Sequence, residues 1–238
     1  MGMFFDPYSD YGFKKLFGEE SSKDILTDFL NTMLPEEHQI VDWRFADEEL
    51  VPSYISDRIK SFDIFCTAAN DDRFIVEVQK AQSKNFKDVA LLYSSLSLRS
   101  LMKHDDSLGK KRRFSALYFV GISNSLFDEV IGNNGLPVPN KLYISARYCD
   151  DDNVVFYSGL TIKFVQMPLF QKTEKELESR FDKWLYFLKN LQSFERIPQI
   201  LNDPVFAHAF EVAKLSNMNQ EERETYNKDI AKRDEDEG

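Results

Sequence analysis

Residues 61–79 read SFDIFCTAANDDRFIVEVQ, two runs rich in β-branched and aromatic residues on either side of an Asn-Asp-Asp segment at 70–72. Such runs are typical of strands, and asparagine and aspartate favour the turn between them. The segment therefore predicts a β-hairpin. Because side chains alternate between the two faces of a strand, Glu77 and Gln79 share one face of the second arm. A turn centred near residue 70 places Asp63 opposite Glu77, within one residue of register.

The two carboxylates are the unusual feature of this hairpin. Like charges directly opposite each other destabilise a sheet, and burying an unpaired carboxylate is costly. A divalent cation bound by Asp63 and Glu77 would offset both effects, and Mg²⁺ in proteins is typically held by one or two carboxylates. The other interpretation of the same residues is the solvated face of an antiparallel sheet, where acidic side chains are common.

The flanking sequence predicts the order helix, strands, helix, strand. Asp10 is expected to cap a first helix that Gly18 ends. A long helix is predicted over 84–103, with a buried stripe formed by Leu91, Leu92, Ser95, Leu98 and Met102. The apolar run 114–122 predicts a central strand covered on both faces. Residues 123–153 predict peripheral loops, followed by a hairpin of 154–157 with 160–165, and the chain from 174 onward predicts helices.

Several segments together resemble a known family. Asp63 followed by Glu77-Val78-Gln79 resembles the D…(D/E)xK signature of the PD-(D/E)XK nuclease superfamily, and more narrowly its recombination-promoting nuclease (Rpn) and transposase group, where the second motif is often E-x-Q. DYGFKKLFG at 10–18 resembles the opening motif of that group, D-x-x-F-K-x-L-F-G. Residues 160–170 are similar to its late strand, and WLYFLK at 184–189 is similar to its W-x-x-F/Y-L-K helix. The resemblance covers most of residues 6–235.

The resemblance implies an α/β fold with a restriction-endonuclease-like αβββαβ core, a mixed central sheet and a C-terminal helical extension. It implies a nuclease-like domain over 1–170 and a helical extension over 171–238 packed on that domain. From about residue 220 the tail is charged with little apolar surface, which favours mobility.

The activity implied by the resemblance is that of a metal-dependent DNA endonuclease, which cleaves phosphodiester bonds in recombination or transposition. Asp63, Glu77 and the carbonyl of Val78 would bind Mg²⁺ or Mn²⁺. Gln79 occupies the position of the usual lysine of the superfamily and would orient the attacking water.

The remaining site residues implied by the resemblance come from other segments. An acid of the first helix, either Asp10 or Glu20, would complete the metal ligands. Lys14 or Lys60 would supply the positive charge that Gln79 does not carry. The basic run Lys110, Lys111, Arg112 and Arg113 would contact the DNA backbone, although such a run is also typical of a solvated loop.

Three features favour a second hypothesis, a catalytically inactive nuclease-fold module that binds DNA or a protein partner. The first is Gln79 itself. The second is the segment that corresponds to the F-x-x-R-x-x-Y-Y motif of the group, in which only Phe86 and Tyr93 are kept. The third is the formal net charge of −10, because a general phosphate-binding surface needs clustered Lys and Arg. A third hypothesis is an interaction protein that contacts no nucleic acid.

Composition sets outer limits on these hypotheses. A chain of 238 residues with 42% hydrophobic content can bury a substantial core. No segment has the length and apolar character of a signal peptide or a membrane-spanning helix, so we expect a cytoplasmic protein without a membrane partner. The sequence leaves open whether the chain forms a homodimer.

Overall fold

The computed structural model describes residues 2–45, 63–79, 85–104, 115–128, 130–131 and 135–236. In chain order the elements are α1 (Asp10–Phe17), α2 (Lys23–Asn31), β1 (Trp43–Phe45), β2 (Ile64–Ala68), β3 (Arg73–Gln79), α3 (Phe86–His104), β4 (Leu117–Ser123), β5 (Val130–Ile131), β6 (Pro137–Val138), β7 (Tyr143–Cys149), β8 (Val155–Gln166), α4 (Arg180–Asn190), α5 (Pro204–Ala213) and α6 (Gln220–Asp236). The chain divides into two compact units, one formed by Met1–Ile40 with Met167–Gly238 and the other by Val41–Gln166.

The unit Val41–Gln166 contains a mixed six-stranded sheet with the order β1-β2-β3-β4-β8-β7. Strands β1, β2 and β3 are antiparallel neighbours, and β7 is antiparallel to β8. The central strands β3, β4 and β8 run parallel to one another, and α3 connects β3 to β4. The sheet and its helices confirm the predicted α/β, restriction-endonuclease-like fold. The short strands β5 and β6 pair separately.

Helix α3 covers the face of the sheet that carries Glu77. Its Phe86 ring packs against Phe119 of β4 and Phe164 of β8, with centroid distances of 6.2 and 5.5 Å. Gly121 lies beneath this contact, because a Cβ added there would come within 2.8 Å of the Phe86 ring. A side chain at this position would therefore push α3 away from the sheet.

The predicted buried stripe of α3 is wrong in its main members. Leu91 and Leu92 are 48% and 43% exposed, and Ser95 is also exposed. The buried stripe contains Phe86, Ala90, Tyr93 and Ser97 instead, with Leu98 partly buried beside it. The side chain of Met102 lies outside the described residues. Phe86 orients this helix through its ring contacts with Phe119 and Phe164.

The predictions for residues 123–165 also need correction. The segment expected to be loop-rich and peripheral contains β7, an edge strand whose residues are mostly exposed. The expected hairpin of 154–157 with 160–165 does not form, because both segments belong to the single strand β8, which pairs with β7. The pairing shifts register between Arg147 and Tyr148, and this irregularity interrupts the alternation from which strands are predicted.

The unit formed by the two ends of the chain is helical. Ser9, rather than Asp10, caps α1, since its hydroxyl oxygen accepts a hydrogen bond from the Gly12 N–H at 2.9 Å. Gly18 ends the helix as predicted. Trp184 of α4 is fully buried and packs against rings of α1, α2 and α5, namely Phe17, Phe29 and Phe206.

Helix α6 is the last element of this unit and packs against α1. It contacts α1 through an ion pair of Lys15 with Glu222 at 2.7 Å and a hydrogen bond from the Tyr11 N–H to the Asp229 carboxylate at 3.0 Å. The charged tail from about residue 220 is thus a helix in contact with α1. Among the described residues, no helix has the length and apolar character needed to cross a lipid bilayer.

Candidate functional site

Asp63 and Glu77 face each other at the start of β2 and the end of β3. The two strands pair Ile64 with Val76, and one further step of the same register places Asp63 opposite Glu77. The Asp63 N–H donates a hydrogen bond to a Glu77 carboxylate oxygen at 3.0 Å, and the Val78 N–H donates one to an Asp63 carboxylate oxygen at 2.9 Å. The predicted register is confirmed, and the backbone of each strand fixes the carboxylate of the other.

Tyr93 of α3 approaches this pair from the covering helix. Its side chain is only 6% exposed. Burial first, and then the negative charges of Glu77 and Asp63, raise the pKa of the Tyr93 phenol to about 12. Both carboxylates therefore interact electrostatically with the phenol, which keeps its proton at neutral pH. Sequence analysis gave Tyr93 no role, although its position two helical turns after Phe86 indicates that it shares the buried face.

Gln79 lies two residues after Glu77 on the same face of β3 and is half-buried. Its backbone carbonyl accepts a hydrogen bond from the Asn124 N–H at 2.8 Å. In the parallel pairing, Gln79 is aligned with Ser123 at the end of β4. Polar side chains therefore gather at the carboxyl ends of parallel strands, which is where α/β sheets commonly bind ligands.

The donors at this position suit a hard cation. The two facing carboxylates and the Val78 carbonyl are oxygen ligands, which Mg²⁺ and Mn²⁺ prefer over nitrogen and sulfur. Within the described ranges, no group of three or more His, Cys, Asp or Glu side chains is arranged to hold a metal. The residues thus fit a cation bound by two protein carboxylates, whose other ligands are backbone, water or substrate oxygens.

The predicted first-helix residues belong to the other compact unit, so their part in the site stays a prediction. Asp10 and Lys14 are exposed on α1 and line an open cleft of about 440 Å³ with residues of α6, including Asp229. Glu20 is exposed and forms an ion pair with Lys23 at 2.5 Å. Lys60 and the basic run Lys110, Lys111, Arg112 and Arg113 lie outside the described residues.

Comparison with known families identifies the group to which this arrangement belongs. A family model described as PD-(D/E)XK nuclease family transposase matches residues 7–238. The chain belongs to this family. The match confirms the resemblance inferred from the sequence motifs, and membership in the PD-(D/E)XK family supports a nuclease or transposase-related role. No curated protein and no solved structure matches the chain.

Proposed function

We propose that this protein is a divalent-metal-dependent DNA endonuclease that cleaves phosphodiester bonds in recombination or transposition. The observation that carries the proposal is the pair of facing carboxylates, each held by a backbone N–H of the opposite strand at about 3 Å. Two like charges held at directly opposite positions on a half-buried face favour a bound cation. Asp63, Glu77 and the Val78 carbonyl would hold Mg²⁺ or Mn²⁺, which would supply an activated water and stabilise charge on the phosphoryl group.

The other residues act on the substrate and the water. Gln79 can accept a hydrogen bond from the attacking water through its amide oxygen and can donate one to a phosphate oxygen through its amide nitrogen. Tyr93 keeps its proton and can donate a hydrogen bond next to the two carboxylates. In this proposal Asp10 or Glu20 completes the ligands, Lys14 or Lys60 supplies positive charge, and the basic run 110–113 contacts the DNA backbone.

The second candidate function is a catalytically inactive nuclease fold that binds DNA or a protein partner. The specific observation that favours it is Gln79, because glutamine cannot supply the charge of the usual lysine. The formal charge of −10 also weakens contact with phosphates over the surface as a whole. The two candidates share one scaffold and differ in whether phosphodiester bonds are broken.

The test measures nicking of supercoiled plasmid DNA with Mg²⁺ or Mn²⁺ by the wild type and by Asp63→Asn and Glu77→Gln. These substitutions keep the size of each side chain and an oxygen that can accept the backbone hydrogen bond. Glu195→Gln is the matched control, because Glu195 is exposed in the helical unit. We expect the first two variants to lose at least roughly 100-fold in rate and the control to lose nothing.

The activity of the wild type separates the two candidates, and one further variant tests the effect of a charge at position 79. Gln79→Lys introduces the charged donor typical of the superfamily, and a well-placed donor is worth roughly 100-fold in rate. If the wild type nicks DNA and both carboxylate variants do not, the endonuclease assignment stands. If the wild type is inactive and retains DNA in a salt-dependent manner, the binding module is supported. Nicking that continues unchanged in Asp63→Asn and Glu77→Gln would overturn the roles assigned to them.

A further inference from the structure

Four polar side chains gather on one face of the β7–β8 pair. Lys163 of β8 lies directly opposite Ser145 of β7, and Tyr143 and Arg147 flank Ser145 two residues away on either side. They therefore share a face. The Lys163 side chain is only 7% exposed, and its ammonium group donates a hydrogen bond to the Tyr143 hydroxyl at 2.8 Å. Ser145 and Arg147 are exposed on the edge strand.

In the part of the chain that the structure describes, neither Lys163 nor Arg147 forms an ion pair with a carboxylate. Burial, and then the positive charge of Arg147, lower the pKa of the Lys163 ammonium group. A buried ammonium beside a second cation is costly unless an anion compensates it. The chain has 40 Asp and Glu residues, so a shortage of acids does not explain why no described carboxylate pairs with Lys163 or Arg147.

The cluster is separate from the facing carboxylates. Phe164 is aligned with Gly121 of β4, which is in turn aligned with Glu77 of β3, so these three residues share the face that α3 covers. Lys163 precedes Phe164 in the same strand and points to the other face. A ligand held by Lys163 therefore lies on the opposite side of the sheet from the phosphodiester bond that Asp63 and Glu77 would address.

We propose that Lys163, Arg147, Ser145 and Tyr143 form a binding site for a phosphate group. An ammonium group, a guanidinium fork and a serine hydroxyl supply several donors to one tetrahedral oxyanion, and charge-assisted hydrogen bonds of this kind are strong. Side chains on opposite and diagonal positions of an antiparallel pair reach a common point when they are long. The exposed Arg147 and Ser145 leave the site open to solvent. The phosphate group belongs either to a DNA backbone away from the cleaved bond or to a free phosphate or nucleotide.

The test measures binding of inorganic phosphate to the full chain by isothermal titration calorimetry at constant ionic strength, with acetate as the comparison anion. Lys163→Met removes the buried charge and keeps most of the length of the side chain with an apolar, flexible group. Arg147→Gln alters an exposed position and provides an independent variant. Lys175→Met, at an exposed lysine of the helical unit, is the matched control. Asp63→Asn tests independence from the candidate metal site.

We expect saturable phosphate binding that weakens at least tenfold in Lys163→Met and in Arg147→Gln and that is unchanged in Lys175→Met and Asp63→Asn. Fluorescence anisotropy with duplex DNA in chelator then assigns the source. If the site binds a backbone phosphate, both variants should bind DNA more weakly, and the slope of log K against log salt concentration should be smaller by roughly one. Unchanged DNA binding indicates a free phosphate or nucleotide. The proposal is overturned if phosphate does not saturate, if acetate binds equally well, or if both variants bind phosphate as the wild type does.

Discussion

Glu77→Gln removes one of the two facing negative charges and leaves the side chain the same length. The amide oxygen of glutamine can still accept the hydrogen bond that the Asp63 N–H donates to Glu77. The variant therefore separates the charge of Glu77 from its shape. Its effect on the free energy of unfolding should change sign between chelator and metal, which a purely structural glutamate would not do.

The magnitude follows from the position of the two side chains. Residues directly opposite each other in an antiparallel pair have Cβ atoms roughly 5 Å apart. Two unit charges at roughly 5 Å repel by about 3 kcal/mol at an effective dielectric constant of 20 and by about 0.8 kcal/mol in water. Asp63 and Glu77 are half-buried, so a value between these limits applies. The weaker neutral hydrogen bond costs about 0.5–1 kcal/mol. In chelator, Glu77→Gln is expected to be as stable as the wild type or more stable by up to about 2 kcal/mol.

With bound metal, the wild type is expected to be more stable than Glu77→Gln. A ligand at 100 times its Kd stabilises the folded state by about 2.7 kcal/mol, and the variant with one carboxylate binds too weakly to gain much of it. The assay is equilibrium unfolding in urea, followed by tryptophan fluorescence, with EDTA or with Mn²⁺. Each compact unit carries one tryptophan, Trp43 or Trp184, so both units contribute to the signal. Glu195→Gln should gain as much from Mn²⁺ as the wild type.

An equal Mn²⁺ gain in Glu77→Gln and in the wild type would refute the assignment of Glu77 as a metal ligand. A second result would refute the electrostatic part of the reasoning. If Glu77→Gln in EDTA is less stable than the wild type by more than about 1 kcal/mol, the loss exceeds the hydrogen-bond cost, and the two carboxylates do not repel each other.

Two further substitutions test the contact between α3 and the site. Tyr93→Phe should lower kcat for plasmid nicking by roughly 100-fold with no change in the Mn²⁺ gain, and an unchanged kcat would limit Tyr93 to packing. Because the pKa of Tyr93 is raised from 10 to about 12, wild-type stability should fall as pH rises through that interval, and Tyr93→Phe should lose less of it. Gly121→Ala places a methyl group 2.7 Å from the Phe164 ring and 2.8 Å from Phe86, and urea unfolding should show a loss of about 1–3 kcal/mol; a smaller loss would mean that the packing yields.

The hairpin of β2 and β3 could be predicted because the residues that determine its strands, turn and register are close together in the sequence. Strand alternation assigns Glu77 and Gln79 to one face, and the short turn near Asn70 limits the register to one or two choices. The apolar residues of the hairpin then select the register that buries Phe65 against Ile75, which is the one observed. The facing of Asp63 and Glu77 follows from that register without any further information.

The elements that sequence analysis missed depend on contacts distant in sequence. Strand β7 is mostly exposed and lacks a buried face from which alternation could be seen, and it is a strand because β8 supplies its hydrogen bonds. In α3, Leu91 and Leu92 are as hydrophobic as core residues but lie on the exposed side of the helix. The helix is oriented by Phe86, which packs against Phe119 and Phe164. Tyr93 reaches the carboxylates only because of that orientation. The spacing of Tyr93 from Phe86 predicts that it shares the buried face, but not that it lies near the carboxylates.

The way in which the carboxylates are held bears on the choice between nuclease and binding module. Each is fixed by a backbone N–H of the opposite strand, so their positions depend on the register of β2 and β3, and that register is maintained by the buried pair of Phe65 and Ile75. Selection for a stable core alone would therefore keep positions 63 and 77 opposite each other even in a protein that cuts no DNA. Gln79 is likewise held by its backbone, because its carbonyl accepts a hydrogen bond from the Asn124 N–H. Activity in Gln79→Lys and in the wild type is thus more informative about catalysis than the preserved geometry of the carboxylates.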